Sequence, residues 1–472
     1  MLFNSLTFLF WFLPACIGVY YIVPDRFKNF VLIAFSFVFY AFGGVSYSVI
    51  LIGSVCFNHL FASQIQKQKS SKTWLYIGLL FNVILLLIFK YLNFFLENSN
   101  VLLGLIIKDF EPLEELKILL PLGISFFTFQ QMSMLWDLYK AKESTPVKFD
   151  ETALYVGLFP QLIAGPIVRY HDIIASIRQR THRIELIESG IFKFILGLFK
   201  KVIIANSCAA IADEIFVLEI AQFNTNAAWL AIVCYSFQIY FDFSGYSDMA
   251  IGLGRIFGFN IAENFMFPYT ATSIKSFWRK WHISLSTWFR DYVYIPLGGS
   301  KLGSLKMYRN LLIVFLLTGF WHGATWSFVF WGAFHGSFLL LERLGLSKIL
   351  DKTPRPISWA YTMLVVIIGW VFFRIEDFES AWLFTLKLFD FTGSQGKHAF
   401  AFLNQEKIAL LILAVLSSSM LIKQINDKLQ EFLSRIPWLQ RSINTIAAIS
   451  VFVYCVLHIN ADSYSPFIYF RF

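Results

Sequence analysis

The 472-residue chain reads as an all-α, polytopic helical bundle in a membrane, and three observations point there. Hydrophobic residues make up 57% of it and charged residues only 15%, where soluble domains carry about 25% charged residues. Aromatics reach 19%, with 55 Phe, 14 Trp and 20 Tyr; a soluble protein of this size has too little polar surface to cover so much apolar matter. Lipid removes that difficulty, because the outer face of a bundle is then free to be Phe and Leu. Finally, several apolar windows approach or reach the roughly 20 helical residues that cross a ~30 Å hydrocarbon core.

The first window, Ser5–Val23, follows no basic residue and precedes no small-residue cleavage site, so it is expected to remain as a span and not to act as a signal peptide. Asn29–Phe42, Tyr47–Ser63 and Trp74–Leu96 follow. Arg26 and Lys28 lie between the first two, and Lys67, Lys69 and Lys72 between the third and fourth, while Gly43–Ser46 carries no charge. The positive-inside rule places both basic loops in the cytoplasm and the N-terminus outside. The next loop, Glu97–Lys117, sets Glu97, Asp109, Glu111, Glu114 and Glu115 against Lys108 and Lys117 and suits the outer side. After a fifth span, Ile118–Leu135, the residues Lys140, Lys142 and Lys148 fall inside again.

Leu154–Val168 is apolar but contains Gly157, Pro160, Gly165 and Pro166, which predicts broken or re-entrant backbone. Such backbone is tolerated at membrane depth only inside protein or beside a water-filled cavity. Arg169, Arg178, Arg180, Arg183, Lys193, Lys200 and Lys201 come next. They read as a solvated helix face on the anionic membrane surface, with a docking surface for an anionic donor or acidic carrier as the alternative. The block Ala227–Leu341 includes one long window, Leu311–Leu341. Spans near Ile357–Phe373, Ile408–Leu421 and Ile443–His458 bring the expected total to about 11 to 12, by the ~20-residue criterion. The closing Tyr469–Phe472 has the look of a barrel terminus, but barrels need alternating strands of about ten residues, and the long continuous apolar runs exclude one.

Cys16, Cys56, Cys208, Cys234 and Cys455 sit in or beside apolar stretches without metal-ligand or disulfide spacing, so they read as small buried hydrophobes and no metal site is expected. Ionisable residues inside membrane segments are expensive and are functional candidates by default. Three clusters qualify. Tyr240–Asp248 places Asp242 and Asp248 among aromatics. Phe277–Tyr292 mixes Trp, Arg, Lys and His, and from Lys275 to Arg309 there are seven Lys or Arg against the single acid Asp291. That stretch belongs at an interface or along a polar cavity, where Arg and Lys suit phosphate groups. For His282 within it, a structural hydrogen-bonding role and a functional one are both open. In the third cluster, Leu317–Trp326, His322 has almost no polar company. Burial favours neutral imidazole, the form a general base needs. His335 lies 13 residues on, about 140° around an ideal helix, and reads as structural.

These residues resemble the membrane-bound O-acyltransferase superfamily, and within it the bacterial branch that O-acetylates exported polysaccharides such as alginate. The resemblance is carried by Phe8–Pro14, Phe159–Ile167, Asp242–Ala250, Phe277–Gly299, Phe320–Ala324 and Pro466–Phe470, in that order along nearly the whole chain. It implies one integral-membrane O-acyltransferase domain over residues 1–472, with helices around a central funnel or tunnel. It implies that His322 is the catalytic base and that His282, 40 residues earlier, is its polar partner. Arg279, Lys280, Trp281, Trp321, Asp242, Ser244 and Tyr246 become candidates for binding donor or acceptor. No bound cofactor is expected; acetyl-CoA or another acyl thioester is the donor substrate. The implied partners are an extracytoplasmic acetyltransferase of the SGNH-hydrolase type, polysaccharide-modification proteins and membrane lipids, with no nucleic acid. The implied location is the cell inner membrane. D-alanyl transfer from a carrier protein to teichoic acid is the alternative chemistry. A transporter is the alternative class, but it calls for paired interrupted helices in two halves, and only Leu154–Val168 is interrupted in this way.

Overall fold

Helices account for every regular element in the computed structural model, which describes residues 1–67, 71–141, 145–301, 303–392 and 396–461. Lys69, Lys142 and the C-terminal motifs Pro466–Phe470 and Tyr469–Phe472 lie outside the described residues. In chain order the longer helices are α1 (Phe8–Ile22), α2 (Lys28–Ala41), α3 (Val45–Lys67), α4 (Ser71–Ile106), α5 (Ile124–Ala141) and α6 (Phe149–Gly157). They continue with α7 (Tyr170–Arg178), α8 (Ile184–Phe216), α9 (Thr225–Ile256), α10 (Ile283–Phe289), α11 (Ser304–His322) and α12 (Trp326–Leu341). The last are α13 (Arg355–Arg374), α14 (Phe378–Lys387), α15 (Gln405–Ser418), α16 (Leu421–Leu433) and α17 (Pro437–Ala461). Among the described residues there is no strand beyond one isolated bridge, between Phe223 and Lys397.

The expected 11 to 12 full-length spans are not found among the described residues. Five helices are long and apolar enough to cross a membrane (α3, α4, α8, α13 and α17), and a sixth is counted if α15 and α16, bent by 70° at their junction, make one span. The chain is nonetheless a multi-pass membrane protein. Many apolar windows are instead short, interrupted or polar within. Ile118–Leu135 becomes helical only from Ile124, and Glu97 lies within α4 and not in a loop. Leu154–Val168 is broken as expected, into α6, the short helix Phe159–Leu162 and irregular backbone, all of it buried in protein.

The basic stretch needs a larger correction. Its second half is no surface face but α8, a 33-residue helix packed along α9. Gly190 and Gly197 sit seven residues apart, as do Gly245 and Gly252, so each pair shares a helix face. A Cβ built on Gly197 would stand 2.5 Å from the Gly245 carbonyl oxygen, and one on Gly190 2.6 Å from that of Gly252. Small residues of this kind let membrane helices approach backbone to backbone. Across this seam Lys201 meets Asp242 at 2.6 Å, Lys200 meets Asp248 at 2.6 Å, and Lys193 meets Asp248 at 2.9 Å. The sequence windows registered the lysines but had no way to register the carboxylates that face them.

Leu311–Leu341 is likewise two helices, not one span. Residues 323–325 interrupt it directly after His322, and α12 turns back against α11. Their backbones nearly touch: a Cβ on Gly319 would lie 3.1 Å from the Gly332 Cα. Hydropathy averaged over the window hid the stop, although Gly323 and Thr325 are ordinary helix-ending and helix-starting residues.

Candidate active site

His322 is the last residue of α11, so the helix end sets the position of its ring. It is 2% exposed. Aromatic rings surround the imidazole, among them Trp321 at 4.8 Å, Trp331 of α12 at 5.2 Å and Phe373 of α13 at 4.9 Å between centroids. Helix ends leave backbone carbonyls unpaired, and here α4 supplies the partners. Tyr91 donates its hydroxyl to Phe320 O at 3.0 Å, and Lys90 donates to Trp321 O at 2.5 Å and to His322 O at 3.3 Å. Trp321 is anchored from the other side, its indole N–H donating to Ser125 O of α5 at 3.3 Å.

His282 arrives by a different route. The short helix Ile274–Trp278 begins on the carboxylate of Glu342, which accepts from Ile274 N at 2.6 Å and Lys275 N at 3.0 Å. The chain then turns, and His282 takes a left-handed conformation (φ 42°, ψ 56°) as the N-cap of α10. Left-handed backbone in a bulky non-glycine residue is costly and persists only where its surroundings enforce it. Asn264, itself buried, does the enforcing. Its carbonyl accepts from Ile283 N and its side-chain oxygen from Ser284 N, both at 3.0 Å. Its amide donates to Ser247 Oγ of α9 at 3.2 Å. The broken segment adds a further tie, Ile167 N donating to Ser284 Oγ at 3.0 Å.

Leu285 N–H and the Ser284 hydroxyl both lie 3.4 Å from Nδ1 of His282; a backbone N–H only donates, which favours the neutral tautomer with its proton on Nε2. Nε2 is buried and has no hydrogen-bond partner among the described residues. Phe243 stands edge-on at 4.6 Å and Trp321 at 6.1 Å from the ring. Trp321 thus neighbours both imidazoles.

The remaining candidates divide. Trp281 is buried in an aromatic cluster with Trp370 at 4.8 Å and Phe265 at 5.1 Å. Arg279 is exposed, whereas Lys280 is half-buried and donates to Thr270 Oγ1 at 2.9 Å. Asp242 is paired with Lys201 in the α8–α9 seam, and the ring of Tyr246 stacks on Phe3 at 4.5 Å. Ser244 is buried on the same helix. Phe243, which the sequence reading passed over, is the α9 residue that meets His282. Part of the basic surface is neutralised as well. Arg169 pairs with Asp172 and Asp291, Arg290 with Asp291, and Arg178 with Glu151. Burial works against the Asp291 carboxylate, but its two arginines outweigh that and hold its pKa below the ordinary carboxylate value.

His335 sits on α12, one turn beyond Trp331, with its ring 5.1 Å from Trp331 and 5.2 Å from Trp278. All five cysteines are unpaired, four of them buried, and no cluster of possible metal ligands occurs among the described residues. A cavity of about 430 Å³ is lined in part by Phe216, Phe223, Arg374 and Phe384 and includes none of the candidate site residues in its lining.

Two buried imidazoles from separate segments flank the Trp321 indole, an arrangement that can do acid–base chemistry. Residues 138–382 match the model of the membrane-bound O-acyltransferase (MBOAT) family, and the chain belongs to that family. It is an O-acyltransferase. A probable alginate O-acetylase AlgI of Azotobacter vinelandii is 37% identical to it, with all of both chains aligned. A peptidoglycan O-acetyltransferase of Helicobacter pylori is 40% identical over 81% of this chain and 78% of its own. A teichoic acid D-alanyltransferase of Streptococcus thermophilus is more distant, at 30% over 54% of this chain and 65% of its own.

Proposed function

We propose that this protein moves an acetyl group from a cytoplasmic thioester, acetyl-CoA, towards an exported polysaccharide such as alginate or a cell-wall glycan. The observation that carries the reading is the convergence of His322 and His282 on Trp321 inside a buried aromatic shell. His322 removes the proton from an acceptor hydroxyl as its oxygen attacks the thioester carbonyl. The Nε2–H of His282 is free to donate to that carbonyl oxygen as charge develops on it. The C–S bond then breaks, and the imidazolium of His322 returns its proton to the leaving thiolate. Arg279, exposed near this segment, and Lys280 are the residues that would meet donor phosphates. No bound cofactor is needed for this chemistry.

The alternation of basic and acidic stretches in the sequence supports an N-terminus outside the cell inner membrane, with the donor reaching the site from the cytoplasm. A separate extracytoplasmic acetyltransferase of the SGNH type and other polysaccharide-modification proteins would receive the group. The full-length likeness to a probable alginate O-acetylase, and the longer and stronger match to a peptidoglycan O-acetyltransferase than to a D-alanyltransferase, favour acetyl over D-alanyl transfer. Inverted membrane vesicles containing the protein should incorporate label from radiolabelled acetyl-CoA into alkali-labile ester. Label entering only from a D-alanyl-loaded carrier protein would reverse the choice of donor. Full incorporation by an inserted His322→Ala protein would sink the mechanism.

A further inference from the structure

Lys90 is a cation in the middle of an apolar spanning helix, and the proposed reaction assigns it no role. It lies where α4 widens into a π-turn, Leu87–Tyr91, a local irregularity that frequently accompanies functional sites. An ammonium has three N–H donors, and those of Lys90 meet three acceptors: Ser125 Oγ at 3.1 Å, Trp321 O at 2.5 Å and His322 O at 3.3 Å. None of these is a carboxylate, and among the described residues no acid pairs with Lys90. The other intramembrane lysines behave differently, with Lys193, Lys200 and Lys201 all paired to aspartates.

A lone cation held by neutral groups gives a weak return in stability for the water it has lost. Its placement is specific all the same. The carbonyls it grips are the last two of α11, at the negative end of the helix dipole, where a positive charge is most favourable. One belongs to the residue between the two imidazoles, the other to His322 itself. The third bond ties that helix end to α5.

We infer that Lys90 is a positioning residue for acyl transfer: it pins the C-terminus of α11 so that the His322 ring and Trp321 keep the geometry the reaction needs. The inference rests on His322 being the base. It also assigns a functional part to an N-terminal helix outside residues 138–382, the stretch matched by the family model.

The test uses full-length protein in inverted vesicles, with radiolabelled acetyl-CoA as probe and rates normalised to inserted protein. A misplacement of about 1 Å costs on the order of 100-fold. Lys90→Met should therefore lower the saturated rate by roughly 10- to 100-fold while leaving the acetyl-CoA concentration for half-maximal rate unchanged. Ethylamine should restore activity to Lys90→Ala but not to His322→Ala. A saturated rate equal to wild type in Lys90→Met, or a loss that ethylamine does not reverse in Lys90→Ala, would overturn the inference. So would failure of both variants to accumulate in the membrane, which would make Lys90 a stability element. If His322→Ala is dead and Lys90→Met is fully active, only this inference fails; if His322→Ala is active, the underlying mechanism fails.

Discussion

Along the α8–α9 seam, Lys193, Lys200 and Lys201 face Asp242 and Asp248 over glycine contacts so close that a Cβ would not fit. Around His322 the same protein buries two imidazoles among aromatic rings, and the half-buried Lys90 grips helix-end carbonyls beside them. The seam neutralises its charges and so holds helices together. At the candidate site Nε2 of His282 has no hydrogen-bond partner among the described residues, which costs stability and leaves that nitrogen available for chemistry. Buried charge by itself therefore does not single out the candidate site in this molecule, because the buried charges of the seam are paired.

Substitutions test that contrast in order of expected effect. His322→Ala should lower turnover by about 10²–10⁴-fold, the range for a general base, without changing thermal stability in detergent; a parallel fall in Tm would blur the contrast. Lys201→Met strands the Asp242 carboxylate in the interior and should destabilise by about 3–5 kcal/mol. Adding Asp242→Leu should return most of the lost stability, and a double variant no better than the single would contradict the scaffold role of the seam. Asn264→Ala removes the acceptor for Ser284 N and the donor to Ser247. It should destabilise by about 1–3 kcal/mol and reduce label transfer, because it frees the segment that holds His282 in left-handed backbone. Lys407→Ala breaks an open pair with Glu214 and should change stability by less than about 1 kcal/mol.

Much of this was legible in the sequence, for identifiable reasons. Composition revealed a membrane protein, because 57% hydrophobic content is more than a soluble surface can cover, and the long continuous apolar runs made it helical. His322 and His282 were visible through their motifs and through the oddness of an imidazole in apolar surroundings. The lysines of α8 were misread because their partners lie about 50 residues away on α9, and hydropathy windows see only neighbours in the chain. The break after His322 was signalled by Gly323 and Thr325, but the apolar average over Leu311–Leu341 overrode it. Lys90 was passed over because it stands alone, although a solitary charge within the window Trp74–Leu96 was itself the signal. Asn264 left no trace in the sequence, since an asparagine that clamps a turn looks like any other loop asparagine.

The central claim is that the two histidines are not interchangeable: His322 takes a proton, whereas His282 donates a hydrogen bond from a capped, left-handed position. Asparagine separates these roles. It caps helices well, tolerates left-handed backbone and carries an N–H donor, but it is no base. With label transfer from radiolabelled acetyl-CoA measured in vesicles, His282→Asn should keep at least about ten times the rate of His282→Ala, as expected when one hydrogen-bond donor replaces another. His322→Asn should be as inactive as His322→Ala. Equal loss in His282→Asn and His282→Ala, or substantial activity in His322→Asn, would contradict the account.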